Sequence, residues 1–351
     1  MKLYRRSMLR LTGATAVAAV GTAGCLGTVG LTDDGAPSYS PWLGHTGDQG
    51  LFYASVDWAA FERFDDLAEE FESAADDPSE TPADRDDPML ALPTVGVVAV
   101  GFGASLTLLG TGLGDLVTFD GEREFETAVD EITIVNDVLV LAGDIDRDEI
   151  DEVLTAASAD DPDTNTAYEQ TTEIAGFDVY EPLEEDGLDF SLTDEKTVAV
   201  GDDAVLLAPN SEGDGIDRLR GPIEAYADDG QPYADTNDDL EWLLSTAGSG
   251  HVAIGSYGIT DRESESDRDL EHDVDETGTP LDDAAGVVAS LTIEGESQAS
   301  VELAATFDEL DTDAEATLES RLGSSAAEIE YEVDDDRLTA SGTWDEDVTE
   351  T

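Results

Sequence analysis

Apolar and polar residues follow each other along the chain in patterns that predict short strands and amphipathic helices. Residues 51–58 alternate well enough for a strand. Residues 59–73 place apolar side chains on one helical face and acidic side chains on the other, which indicates a helix. Residues 131–142 predict a pair of strands, and residues 144–157 predict a second helix with Asp146 as its N-cap. The pattern is therefore one of strands joined by tight turns, with helices between them.

The same succession continues through the rest of the chain. The pattern predicts strands over 173–181, 196–208, 250–257, 284–294, 298–307 and 326–344, helices over 216–227, 237–246 and 313–322, and turns at 136–137, 201–203, 295–296 and 334–336. A pair of strands followed by a helix recurs three times, and the short turns require antiparallel pairing. The predicted fold class is α+β, with antiparallel sheets, helices packed on one face and loosely repeated β-β-α units.

Residues 89–114 form an apolar segment that carries no charged residue. Its length is sufficient to span a bilayer. However, the segment contains Pro93 and six glycines, and no basic flank fixes a topology. We therefore expect a buried helix or helix-turn packed against the sheet, with a membrane span as the alternative.

The first 24 residues have the pattern of an export signal that is removed from the mature chain. Arg5 and Arg6 precede an uncharged apolar run over 11–23, and Cys25 follows as the only cysteine. This run is too short to cross roughly 30 Å of hydrocarbon at 1.5 Å per residue. The paired arginines resemble the signal of the twin-arginine pathway, which exports folded proteins. Residues 22–25 resemble a lipobox, in which Cys25 is lipidated and becomes the mature N-terminus.

This resemblance implies two partners, the twin-arginine export machinery and the membrane, the latter through lipid on Cys25. It also implies a location on the outer face of the cytoplasmic membrane. Stable anchoring needs about two hydrocarbon chains, the number that the implied archaeal lipid carries. An uncleaved signal anchor is the alternative. With Cys25 lipidated, the mature chain has no thiol for a disulfide, a metal site or a nucleophile.

The domain organisation follows from these segments. The sequence predicts a twin-arginine lipoprotein signal peptide over 1–24, a lipid-anchored tether over 25–49, an α+β repeat domain over 50–260, an acidic disordered insertion over 261–283 and a C-terminal β-β-α-β unit over 284–345.

Charge changes the expected solvent and the expected partners. The chain has 85 Asp and Glu against 15 Lys and Arg, a formal net charge of -70. Such self-repulsion opposes a compact state in dilute buffer, whereas at 1 M salt the Debye length falls to about 3 Å. The composition resembles that of haloarchaeal proteins. Global disorder is the competing interpretation, and it fails because 40% of the residues are apolar and fall in periodic blocks. Nucleic acid is excluded as a partner, since phosphate needs Lys and Arg.

The candidate chemistry is sparse. The three histidines, His45, His251 and His272, share no metal spacing and are expected to be structural or solvated. Residues 161–165 begin like a calcium loop, with Asp161, Asp163 and Asn165, but lack the glycine and glutamate that the loop needs later. The sequence therefore predicts no catalytic residue, no metal site and no cofactor.

Three segments of the sequence, residues 138–146, 176–180 and 197–207, resemble recurring units of exported haloarchaeal lipoproteins of unknown function. A bacterial family of exported, uncharacterised proteins has a similar repeating layout. The resemblance implies no catalytic residue. We expect a non-enzymatic binding or structural module of unknown ligand, with Trp42 and Trp58 as possible contacts and Trp58 favoured as a core residue. An extracellular hydrolase with dispersed catalytic residues is the alternative.

Overall fold

The architecture comes from a computed structural model, which describes residues 36–44, 50–61, 87–117, 126–156, 166–183, 195–210, 213–227, 230–259, 280–295, 298–310 and 312–345. Within these ranges the chain forms twelve strands and six α-helices. All twelve strands join one open antiparallel sheet in the order β11-β12-β10-β9-β8-β1-β2-β3-β7-β6-β5-β4. The predicted α+β class with antiparallel pairing is confirmed.

The strands are β1 (Leu51–Asp57), β2 (Ala128–Val135), β3 (Val138–Asp144), β4 (Tyr168–Ile174), β5 (Phe177–Pro182), β6 (Lys196–Val200), β7 (Ala204–Pro209), β8 (Val252–Tyr257), β9 (Ala284–Gly295), β10 (Gln298–Phe307), β11 (Glu328–Asp334) and β12 (Arg337–Asp345). The helices are α1 (Trp58–Phe61), α2 (Pro88–Leu108), α3 (Arg147–Thr155), α4 (Gly215–Tyr226), α5 (Asp238–Ala247) and α6 (Thr312–Arg321). Of the helix predicted over 59–73, residues 62–73 lie outside the described residues, as do residues 261–279 of the predicted insertion.

The sheet consists of two halves that share one plan. In each half three strands follow one another as neighbours, β1-β2-β3 in one and β8-β9-β10 in the other. In the first half α3 follows β3, β4 forms the outer edge of the sheet, and β7 pairs with β3. In the second half α6 follows β10, β11 forms the outer edge, and β12 pairs with β10. The halves meet at β1 and β8, where Tyr53 pairs with Gly255. The two predicted units, 50–260 and 284–345, are therefore parts of one sheet, because β8 also pairs with β9.

Tight turns connect the hairpins. Asn136, between β2 and β3, has φ 53°, a left-handed conformation that asparagine tolerates. Its side-chain oxygen accepts from the Phe52 backbone at 2.8 Å, which ties the turn to β1. The strand predicted over 173–181 is two strands, since Ala175 and Gly176 both have positive φ and form a turn between β4 and β5.

Both faces of the sheet carry helices, which differs from the expected packing on one face. Successive strand residues point to opposite faces. The first face includes Ala54 and Val56 and is covered by α2, α3 and α6. The second face includes Leu51 and Tyr53 and is covered by α4, α5 and residues 36–44. The reason lies in β6 and β7, whose runs of five consecutive buried residues need cover on both sides.

The apolar segment over 89–114 contains the expected helix against the sheet. The glycines of α2 permit close approach: a Cβ at Gly96 would lie 3.2 Å from Ile254, and one at Gly103 would lie 2.5 Å from Ile134. Ahead of α2, the fully buried Asp87 accepts hydrogen bonds from the backbone of Gly323 and Ser325, each at 3.0 Å. This carboxylate therefore joins the start of α2 to the turn after α6.

Candidate functional site

The predicted export and lipidation residues, and several of the other candidate residues, lie outside the described residues. This holds for Arg5, Arg6 and Cys25, and also for His45 and His272. The residues 161–165 that begin like a calcium loop lie outside as well. Residues 36–44, which belong to the predicted tether, pack against the sheet, and this contact is the candidate site. We call residues 36–44 the clasp.

The clasp is held by buried aromatic and aliphatic side chains. Tyr39, Trp42 and Leu43 are buried on the second face of the sheet. The Trp42 ring stacks on Tyr226 of α4, with centroids 3.8 Å apart and an interplanar angle of 6°. It also meets Phe177 edge-on, with centroids 6.3 Å apart. The clasp thus packs as part of the core.

This packing shortens the predicted tether and removes a predicted ligand contact. Residues 36–44 fall within the range predicted for the tether, but they pack on the sheet and belong to the folded part of the chain. Trp42 is only 2% exposed and is occupied by its stack on Tyr226, so it does not present a surface to a ligand. Trp58 is also 2% exposed and belongs to the core, as expected.

A polar cluster lies beneath the clasp. The Ser38 hydroxyl donates to the carboxyl group of Glu131 on β2. The Thr133 hydroxyl lies 3.4 Å from the same carboxyl group and 2.8 Å from the Ser55 hydroxyl. The Tyr39 hydroxyl donates to the Gly248 carbonyl at 2.8 Å. These contacts connect the clasp to β1, β2 and the end of α5.

Glu131 is the titratable centre of this cluster. Burial raises the pKa of Glu131 from 4.5 to about 7, while the hydrogen bond from Ser38 lowers it and the negative charge of Asp57 raises it further. Asp57 is the register partner of Glu131 in the β1–β2 ladder. The carboxyl group therefore keeps its proton to a higher pH than an ordinary glutamate does.

An open groove of about 640 Å³ lies on β10, β11 and β12 beside the end of α5. Glu302, Glu330 and Glu332 line it together with Thr339 and Ser341. Carboxylates and hydroxyls suit a hydrated cation or a cationic group. Across the described residues, however, no group of three or more His, Cys, Asp or Glu side chains is placed to hold a metal ion.

His251 has a structural contact, in agreement with its sequence interpretation. It precedes β8, and its Nδ1 atom accepts a hydrogen bond from the Ile293 backbone at 3.0 Å. The contact ties the start of β8 to β9 and fixes the ring orientation.

Helix α2 is the second feature that bears on function. Within the described part of the chain it is the one helix long and apolar enough to cross a membrane. Only 33% of its most apolar stretch is buried inside the fold. One side of α2 packs on the sheet through Met89, Val100 and Leu108, and the opposite side faces outward.

Comparisons with models of known protein families, with curated proteins and with solved structures found no match to this chain. The resemblance to exported haloarchaeal lipoproteins therefore stays a prediction from the sequence.

Proposed function

We propose that this chain is a surface protein of a halophile, exported by the twin-arginine route and held by lipid on Cys25 at the outer face of the cytoplasmic membrane. The observation that carries the proposal is the order of the leader: Arg5 and Arg6, an uncharged apolar run, and then the only cysteine. There the folded body acts as a non-enzymatic binding or structural module whose ligand is unknown.

The clasp supports this proposal because it gives the anchor a firm attachment. If the tether led into a weakly packed terminal segment, a force on the lipid would unfold that segment first. Here the chain enters the core through Tyr39, Trp42 and Leu43 directly after the tether. The body would therefore stay folded while it is held at the membrane.

The excess of acidic residues supports concentrated salt as the proposed solvent. Four of the 15 basic residues lie in the leader, which leaves 11 for the remaining chain against 85 acidic residues. In concentrated salt the repulsion between these acids is screened, while their carboxylates keep the surface hydrated. A body of this composition is suited to brine outside the cell.

The anchor is tested with Cys25→Ser in the native halophilic host. We expect the native protein to show the mass of a chain that begins at a lipid-modified Cys25. The variant should lose the lipid and either enter the medium or stay unprocessed. A matched control is Thr28→Ser, which makes a small polar change three residues past the processing site and should keep the lipid. Recovery of the native protein as a full-length, unmodified chain from the cytosol would contradict the proposal.

A further inference from the structure

The outward side of α2 is an apolar stripe on the protein surface. Val95, Phe102, Leu106 and the following Leu109 are between 41% and 57% exposed. They are spaced by seven, four and three positions, which places them on one side of the helix. We call these four residues the outer face of α2.

This stripe contrasts with the rest of the chain. The sequence carries a net charge of -70, yet no charged residue occurs from Met89 to Gly114. The other large apolar side chains exposed within the described residues are Leu183, Ile259 and Ile329, which lie apart from α2 and from one another along the chain. Exposed apolar surface is thus concentrated on one helix, as expected for a contact surface.

Two of the three hydroxyl side chains of α2 donate hydrogen bonds within the helix. The Thr94 hydroxyl donates to the Leu90 carbonyl at 2.8 Å, and the Ser105 hydroxyl donates to the Gly101 carbonyl at 2.8 Å. Serine and threonine that bond back to their own helix do not need water as a partner. The helix can therefore enter an apolar environment without leaving these hydroxyls unpaired.

The size of the stripe distinguishes between possible occupants. The outer face runs from Val95 to Leu109, which is about 21 Å at 1.5 Å per residue, and a stripe about 10 Å wide along it covers roughly 200 Å². A stable protein interface buries about 800 Å² on each partner. A second copy of this chain would therefore gain too little area for a stable contact. A lipid surface has no such minimum area, because it adapts to the shape that enters it.

We infer that the outer face of α2 inserts into the interfacial region of the lipid bilayer, with the helix parallel to the membrane plane. The helix does not span, because its other side is packed on the sheet. This inference rests on the proposed anchoring, which brings the membrane within reach. Residues 26–35 extend to at most about 35 Å, and three layers of helix, sheet and helix are roughly 30 Å thick. Because the clasp lies on the other face of the sheet, the tether must pass around the sheet close to its full length for α2 to meet the membrane.

The chemistry of the contact is apolar. Since α2 has no lysine or arginine, it offers no charge to lipid headgroups, and the contact comes from the removal of apolar surface from water. Binding should therefore be similar for neutral and anionic vesicles and should persist in concentrated salt.

The test uses the full chain with Cys25→Ser, so that an added cysteine is the only thiol. Leu106→Cys is labelled with an environment-sensitive nitrobenzoxadiazole dye and mixed with phosphatidylcholine vesicles in about 3 M KCl, where surface charge is screened. The control is Leu183→Cys, whose parent side chain is 43% exposed, within the range of the outer face. The uncleaved leader is common to both chains.

We expect the label at position 106 to shift to the blue and to be quenched by nitroxide-bearing lipid, whereas the label at position 183 should do neither. Adding Phe102→Asp should lower the fraction of label in lipid contact by about tenfold, since roughly half of an aromatic side chain leaves the contact. Because Phe102 is exposed, this variant should keep its fold, which circular dichroism checks.

Each other outcome overturns the inference. A blue shift without vesicles that rises with protein concentration would show that a second copy covers the stripe. A blue shift without vesicles at every concentration would show that the chain itself covers it. An emission that does not shift when vesicles are added would show that the outer face of α2 stays in water. None of these outcomes bears on the anchor, because Cys25 is absent from these chains and its lipid is tested separately by mass.

Discussion

Glu131 under the clasp makes the stability of the protein depend on pH in a direction opposite to that of most carboxylates. Its pKa is about 7 in the fold against 4.5 as the ordinary value. The folded state therefore binds the proton more tightly than the unfolded state. This contribution is fully present below pH 4.5 and is lost as the pH rises through 7. A difference of this size corresponds to up to about 3 kcal/mol.

The perturbation is Glu131→Gln. The amide oxygen can still accept the hydrogen bond from Ser38, but no charge forms when the pH rises. We expect the variant to match the wild type near pH 4 and to be more stable by up to about 3 kcal/mol near pH 8. For a denaturant slope of about 3 kcal/mol per molar, the urea midpoint moves by roughly 1 M.

The assay is urea unfolding in concentrated KCl at a series of pH values, followed by tryptophan fluorescence. The chain has many other acids, so the informative quantity is the difference between variant and wild type at each pH. The control is Glu169→Gln on β4, an exposed glutamate whose difference from the wild type should not vary in this way. A difference for Glu131→Gln that stays constant from pH 4 to pH 8 would refute the reasoning.

Three further outcomes are expected. Asp87→Ala should lower the free energy of unfolding by about 3–5 kcal/mol in urea titrations, because it leaves buried backbone donors unpaired and removes a helix cap. Ser325→Ala removes a hydroxyl that donates to Asp87 and accepts from Trp344, and it should lower the free energy of unfolding by only about 1–2 kcal/mol. Arg5→Lys with Arg6→Lys should retain the protein in the cytosol, while Lys2→Arg should leave export normal; export of the double variant would favour the general secretory route. Lowering KCl below about 1 M should unfold the body in circular dichroism, and an intact fold in dilute buffer would contradict the halophilic assignment.

Local signals were sufficient to predict much of the fold. Asp146 was predicted as an N-cap, and its side chain accepts from the backbone of Asp148 and Glu149 at the start of α3. The turn at Asn136 and the hairpin formed by β9 and β10 lie where the pattern places them. In each case the necessary partners are close in the sequence, so a short window contains the information.

Features that depend on distant partners were not predictable in this way. Asp87 is buried by the turn at Gly323, far along the chain, and nothing in the Asp-rich residues before it distinguishes it. The sequence around the clasp is rich in Gly, Pro and Ser, which predicts a tether and does not indicate a packed segment. The hydrogen bond that Glu131 accepts likewise comes from Ser38, which is remote in sequence. In contrast, Arg5, Arg6 and Cys25 form a local motif that the sequence alone suggests.

The position of β1 has a consequence for the timing of synthesis. This strand is made early, yet its second neighbour, β8, is made only after residue 251. Until then β1 leaves an open row of amide and carbonyl groups at the middle of the future sheet, and pairing across so long an interval is slow. The leader therefore emerges from the ribosome well before the body can close. A translocation route that accepts only folded proteins would act after the ribosome has released the whole chain. The sheet could then close before the chain crosses the membrane.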